Sequence, residues 1–247
     1  MNFPLFSPLP VHFLFEALAY AIAFRFYGYL RKHTHDDYGS EARMIVLVGA
    51  IMGAAIGSKL VGILEHPQIW KSLLASPIYI IGAKSIVGGL VGGTIGVELA
   101  KAISRITRSS GDIYVFPLIT GIAIGRIGCF AQGVSDGTWG SQTDFIFAMD
   151  GGDGVMRHPT PLYEIIALAL MALALWSIRK STQRIEGDMF KLFLVSYCLW
   201  RFFVEFLKPV ASYGIFSLSI IQFVCLATIL YYCAIFALRL RNKIASS

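Results

Sequence analysis

Two arginines and one short histidine-to-glutamate stretch carry the chemistry of this sequence. Arg126 stands between Gly125 and Gly128 in a run, Ile119 to Phe130, that holds no other charge. Arg201 follows Tyr197 by four residues and precedes Glu205 by four, so on a helix the three share a face. A guanidinium is permanently charged and presents forked donors that suit a carboxylate or a phosphate. Two readings of each arginine stand together: a buried ion pair that ties helices, or a site for an anionic ligand. Glu205 is a ready partner for Arg201. No comparable surplus of carboxylates is visible for both arginines, which suggests an anion.

Further candidates surround these. In His158-Pro159-Thr160-Pro161-Leu162-Tyr163-Glu164 the prolines define a turn and a helix start, which brings His158, Tyr163 and Glu164 to a helix entrance. A histidine there is either a hydrogen-bonding cap or a proton-exchanging group. Lys84 and Ser85 precede a glycine run (Gly88, Gly89, Gly92, Gly93, Gly96) whose backbone N–H groups could approach an anion. The same glycines at four-residue spacing, like Gly49, Gly53 and Gly57, also let helix backbones pack closely in lipid. Glu16 sits in an apolar run with no obvious cation beside it. It is expected to be buried, as a helix-pairing carboxyl or as a proton carrier.

The elements that position these residues are membrane helices. The 247-residue chain is 56% hydrophobic and only 15% charged, with a mean hydropathy of +0.66, whereas soluble domains are about a quarter charged. Apolar runs near the ~20 residues needed to cross a bilayer occur at His12–Leu30, Arg43–Leu64, Leu73–Glu98, Tyr114–Ala131, Pro161–Ile178, Met189–Leu207 and Phe216–Leu238. They predict an all-α, seven-helix bundle forming a single domain over residues 1–247. In the third run, Lys84 and the glycines allow two half-helices instead. The N-terminus has no basic region of the kind that opens a cleavable signal. Charged residues inside the runs face the bundle interior by default. Arg25 and Lys191, near helix ends, can snorkel.

The net charge of +6 does not indicate nucleic acid, because its placement follows topology. Arg31, Lys32 and Arg43, then Lys101, Arg105 and Arg108, then Arg179, Lys180 and Arg184, then Arg239, Arg241 and Lys243 fall on one side; Lys71, Arg157 and Lys208 fall on the other. That asymmetry predicts a cytoplasmic C-terminus and an external N-terminus. The phosphate within reach of a buried arginine would then be a phospholipid headgroup. All four cysteines lie in or beside apolar runs, so a disulfide framework is not expected. The stretch from Gln132 to Thr160 is long, external, and rich in Gly and Asp. It is read as a functional, partly ordered lid. It lacks an EF-hand pattern, and the sequence is read as calling for neither a metal nor a cofactor.

Gly125-Arg126-Ile127-Gly128-Cys129-Phe130, followed by Trp139-Gly140, resembles the signature of the prolipoprotein diacylglyceryl transferases. The His158–Glu164 stretch, the Tyr197-xxx-Arg201-xxx-Glu205-Phe206 stretch and the Lys84–Gly96 run resemble three further motifs of that family, and the resemblance covers nearly the whole chain. It implies a bacterial inner-membrane enzyme. Such an enzyme moves the diacylglyceryl group of phosphatidylglycerol to the cysteine thiol of a prelipoprotein signal sequence and releases glycerol phosphate. Arg126 and Arg201 would then bind one phosphate, with Tyr20, Lys84, Ser85, Gly88, Gly89, Gly128, Cys129, Gln132, Asp136, Tyr163, Glu164 and Tyr197 around the substrates.

This chain also departs from the family pattern. Val87 stands where typical members carry a histidine, Cys129 and Gln132 replace asparagines, and Asp136 takes the place of a glutamate after extra residues. Glu16 and Tyr20 are the candidates for an N-terminal tyrosine region. The candidates left to deprotonate an acceptor are His158, Glu16 and Glu205. Glu205 is the weakest, since pairing with Arg201 favours its charged form. Another anionic phospholipid with a different acceptor is the alternative reading. A non-enzymatic lipid-binding protein or a transporter is a third, although no inverted repeat is visible.

Overall fold

A bilayer core offers the backbone no water, so each apolar run must satisfy its own N–H and C=O groups and becomes a helix. The computed structural model describes residues 11–34, 39–65, 83–182, 186–211, 213 and 217–245. Among them run α1 (Val11–His33), α2 (Ser40–Glu65), α3 (Ile86–Ile103), α4 (Val115–Gln132), α5 (Thr160–Thr182), α6 (Asp188–Val204) and α7 (Ile220–Ala245). Six segments are long and apolar enough to cross a membrane: all of these helices except α6. The protein is therefore an all-helical, multi-pass membrane protein.

One expected span needs correction, and another tightens at its end. α6 has 17 residues, about 26 Å at ~1.5 Å per residue, within the ~17–25 residues that a span takes. The chain tightens into a 3-10 turn at Glu205–Leu207, two residues before Pro209, which cannot continue the ladder. The third expected span does not keep Lys84 inside a helix. Residues 73–82 of that span lie outside the described residues, as do Lys71, Arg184 and Phe216. The described part becomes helical only at Ile86, after an N-cap at Ser85 whose hydroxyl accepts the Gly88 N–H at 3.3 Å. Lys84 precedes that cap and is exposed.

The described chain falls into two compact units. One comprises Met1–Asp36, Ser109–Phe193 and Phe206–Pro209; the other comprises Asp37–Arg108, Leu194–Glu205 and Val210–Ser247.

In the first unit α1 and α5 both pack on α4. Gly128 sets the approach of α1, because a Cβ there would meet Phe15 Cβ at 2.6 Å. Farther along, Tyr27 stacks on Tyr114 with ring centroids 4.8 Å apart. The long loop is ordered. It starts with a 3-10 turn (Gly133–Asp136) and contains an antiparallel ribbon of β1 (Met149–Asp150) and β2 (Met156–Arg157). The ribbon turn is closed by Asp150, whose Oδ1 accepts N–H groups from Gly152, Asp153 and Gly154 at 2.8, 3.1 and 3.0 Å. Gly152 and Gly154 there take φ of 107° and 78°, values that favour glycine. At the exposed surface Arg157 Nη2 lies 2.8 Å from Asp153 Oδ2 and holds that carboxyl below its ordinary range.

The loop folds back onto the ends of α4 and α5. Trp139 stacks on Phe130, Val134 N–H donates to Gly151 O at 3.0 Å, and the Thr160 hydroxyl donates to Thr138 O at 2.5 Å. Its tip leaves Phe145, Ile146 and Phe147 exposed.

In the second unit the glycines form a seam between α2 and α3. A Cβ at Gly92 would strike Gly53 O and come within 2.8 Å of Gly57 Cα; one at Gly96 would strike Gly49 O, and one at Gly88 would strike Gly57 O. The second glycine set is therefore required by packing, like the first, and Gly88 needs no ligand to explain it. Gly89 differs: its nearest neighbour would be Ser58 Cβ at 3.7 Å. α7 packs against both helices. It begins with a reciprocal capping box in which Ser219 Oγ accepts Gln222 N–H and Gln222 Oε1 accepts Ser219 N–H. Replacing Gly92 with Leu should therefore lower the detergent melting midpoint sharply, with overpacking costing about 1–3 kcal/mol or more. Gly89→Ala should leave the midpoint unchanged or raised. Thermal unfolding followed by circular dichroism checks both.

Candidate active site

Arg126 lies on the α4 face turned toward α5 and is almost fully buried. Its partner is Glu164: Nε stands 3.0 Å from Glu164 Oε2, with side chains 7% and 2% exposed. The contact is an ion pair more than a hydrogen bond, since the Nε–H does not point along it. The sequence offered no obvious carboxylate for Arg126, and the structure corrects this. Pro159 and Pro161 start α5 so that Glu164, one turn in, faces α4. The motif therefore delivers a carboxylate to the arginine.

His158 does not join that pair. Its Nδ1 lies 3.4 Å from the Tyr163 hydroxyl and its ring lies against Phe145, with centroids 6.0 Å apart. Its position fits the hydrogen-bonding reading of this histidine. Tyr163 is thus placed as its partner.

Next to Arg126, three segments bring together Cys129, Gln132 and Asp136, which the sequence singles out, and His12, which it does not. His12, in the first turn of α1, points Nδ1 at Asp136 Oδ1, 2.7 Å away. Asp136 is nearly buried at 7% exposure, and its Oδ2 accepts the Thr138 hydroxyl at 2.7 Å. Cys129 Sγ lies 3.7 Å from the same His12 Nδ1 and 3.7 Å from Arg126 Nη1. Gln132 Oε1 accepts the His12 backbone N–H at 3.4 Å, and its Nε2 donates to Ser135 Oγ at 3.3 Å. Arg126, Cys129, His12 and Asp136 therefore form one continuous chain of polar contacts in an apolar helix junction.

The ligand-type atoms of His12, Cys129 and Asp136 all lie within 4.8 Å of one another, a spacing that can also suit a cation. Two features favour proton handling instead. The short Nδ1–Oδ1 contact occupies the nitrogen that faces the thiol, and the guanidinium beside Cys129 already brings a positive charge.

The same geometry revises Glu16. It is neither fully buried nor alone: its side chain is 25% exposed, and Oε2 lies 3.9 Å from His12 Nε2, one helical turn earlier. The signal was present in the sequence, since a histidine four residues before a glutamate shares its helix face. Tyr20 is 71% exposed on the outer side of α1 and adds nothing to this cluster.

In the second unit, Arg201 Nη2 donates to Glu205 Oε2 at 2.8 Å, both almost fully buried. This is the pairing that the four-residue spacing predicts. Tyr197 is fully buried one turn earlier. Ser85 serves as the N-cap of α3, and its own N–H donates to Ser58 O at 3.1 Å.

Comparison with known sequences agrees with these motifs. A sequence model of the prolipoprotein diacylglyceryl transferases matches residues 3–238. Curated relatives named phosphatidylglycerol–prolipoprotein diacylglyceryl transferase include one from Mannheimia succiniciproducens, 29% identical over 87% of this chain and 85% of its own length. One from Bordetella parapertussis is 31% identical over 82% and 79%, and one from Idiomarina loihiensis 32% over 88% and 83%.

The chain belongs to the prolipoprotein diacylglyceryl transferase family.

Arg126, Glu164, Arg201 and Glu205 are all buried, and Val87 stands where the resemblance implies a histidine. Val87 is buried at 1% exposure and, being apolar, can neither take nor give a proton. Removing one member of a buried ion pair costs about 3–5 kcal/mol, while replacing both with apolar groups is close to neutral. Glu164→Met should therefore destabilise the protein strongly, and Arg126→Met/Glu164→Met should recover most of the loss. Melting midpoints of the two variants in detergent measure that coupling.

Proposed function

We propose that this chain transfers the diacylglyceryl group of phosphatidylglycerol to the lipobox cysteine thiol of prelipoproteins, releasing glycerol phosphate, and that it does so in the bacterial cytoplasmic membrane. The whole chain acts as one transferase domain, with its N-terminus and the 132–160 loop on the external side. The observation that carries this reading is a guanidinium, Arg126, fixed by Glu164 inside an apolar helix pair at the centre of the family's signature. The names of the relatives supply the two substrates.

In the reaction, a C–S bond forms at the glyceryl carbon while its C–O bond to phosphate breaks. The departing phosphate turns from diester to monoester and gains negative charge. Donors already held in place stabilise that charge without having to reorganise, and they act more strongly where water is excluded. Arg126 and Arg201 fill this role. Glu164 and Glu205 act as positioning residues that hold each guanidinium and make its burial tolerable. The folded loop serves as a cover for the external end of α4 and α5, where it already rests on Phe130 and Thr160.

The protein in phosphatidylglycerol nanodiscs, incubated with a synthetic lipobox peptide, should add one diacylglyceryl mass to the peptide, read by mass spectrometry. Arg126→Ala and Arg201→Ala should each reduce the rate about 10²-fold or more, as loss of a preorganised donor does. Lysine at either position should restore little, because a point charge cannot replace the fork. Full activity of both alanine variants would overturn the assignment. Equal transfer from phosphatidylethanolamine would overturn the choice of lipid.

A further inference from the structure

We propose that His12, oriented by Asp136, is the general base that deprotonates the acceptor thiol, in place of the histidine that Val87 replaces. This inference rests on the transfer reaction proposed above.

The two ring nitrogens of His12 have different neighbours. An ionised carboxylate only accepts hydrogen bonds, so the 2.7 Å contact of Asp136 Oδ1 with Nδ1 places the ring proton on Nδ1. In the neutral ring the lone pair then lies on Nε2, at the opposite edge. The Thr138 hydroxyl occupies the second oxygen of Asp136, so the carboxylate is held at both ends and the ring direction is set. A carboxylate that fixes the tautomer and later stabilises the imidazolium is the base–orienter half of a catalytic triad.

The thiol beside the ring is not placed as a triad nucleophile. Cys129 faces Nδ1, the same nitrogen that Asp136 holds, so its thiol cannot hand a proton to Nε2. Cys129 is a spacer between the base and Arg126, and the nucleophile must come from outside. Access for it exists: the His12 side chain is 34% exposed, while Asp136 behind it is 7% exposed. The Arg126–Cys129–His12 contacts, 3.7 Å each, keep the base beside the arginine assigned to the phosphate. That proximity is required, because the carbon attacked by sulfur is bonded to the phosphate oxygen that leaves.

The other base candidates are less well placed. His158 is turned to Tyr163, Glu205 is paired with Arg201, and Glu16 stands 3.9 Å from Nε2. From that position Glu16 can receive the proton from His12 after each turnover. In the transfer, the thiol proton passes to Nε2, sulfur bonds to the glyceryl carbon, and glycerol phosphate leaves with the C–O electron pair. The imidazolium then releases its proton to solvent, directly or through Glu16. Among the described residues, the charged or titratable groups facing His12 are Glu16 on its own helix, Cys129 with Arg126 behind it on α4, and Asp136 on the following 3-10 turn.

The test uses the full-length protein in phosphatidylglycerol nanodiscs with the synthetic lipobox peptide. His12→Gln should lower the transfer rate by about 10²–10⁴-fold, the usual contribution of a general base. Phosphatidylglycerol retention, measured with radiolabelled lipid, should stay near the wild-type level. His12→Gly should regain activity with added imidazole, in proportion to the free-base form as pH is varied. A residue that only supports structure would show no such dependence.

Wild-type-like transfer by His12→Gln would overturn the proposal while leaving the transferase function intact. One zinc per wild-type chain by mass spectrometry, lost in His12→Gln, would also overturn it, since a metal would then hold the ring. A wild-type protein that transfers nothing would overturn the function itself, and this assignment with it.

Discussion

Placing an ionised side chain in a low-dielectric helix bundle costs several kcal/mol unless a partner of opposite charge meets it in good geometry. That constraint organises much of what surrounds the candidate site. Arg126 can be buried on α4 because α5 begins where it does, at Thr160, and so turns Glu164 inward. The start of α5 in turn depends on the folded loop, which docks Trp139 on Phe130 and receives the Thr160 hydroxyl on Thr138 O. The Arg201–Glu205 pair meets the same constraint within a single helix end. In both places the carboxylate neutralises the cation and fixes its direction, and a fixed donor is what a departing phosphate needs.

The loop does more than cover. Its first turn carries Asp136 onto His12, joining the start of α1 to the end of α4. Gly128 permits that junction, since any side chain there would collide with Phe15. The chemical cluster and the packing of α1 on α4 are therefore one feature: without the close approach, His12 would not reach Asp136 or Cys129. The glycine seam between α2 and α3 is required by packing, with backbone oxygens where a Cβ would stand. Small residues thus have two separate uses in this chain.

Family membership and local chemistry also separate at one position. The motifs and relatives agree along most of the chain, yet Val87 is a buried apolar residue where the resemblance implies a histidine. A proton acceptor need not come from a fixed place in the sequence. It needs only a lone pair, an orienting partner and access, and His12 has all three.

The sequence by itself determined the fold class, most of the helices and the residues of the site motifs. Apolar runs of bilayer length have no stable alternative to helices, and a four-residue spacing fixes which side chains share a helix face. It therefore announced the Arg201–Glu205 pair directly. Tertiary structure alone decided what crosses between elements. Glu164 reaches Arg126 from another helix, and Asp136 reaches His12 across more than a hundred residues. Gly88 proved to belong to a packing seam, and Glu16 proved to stand partly exposed beside His12. The helix limits at Ser85 and Val204 also escaped the hydropathy pattern, because a cap and a tightened turn depend on single hydrogen bonds rather than on average polarity. Periodicity along one chain segment says which face a residue occupies, but not what that face meets.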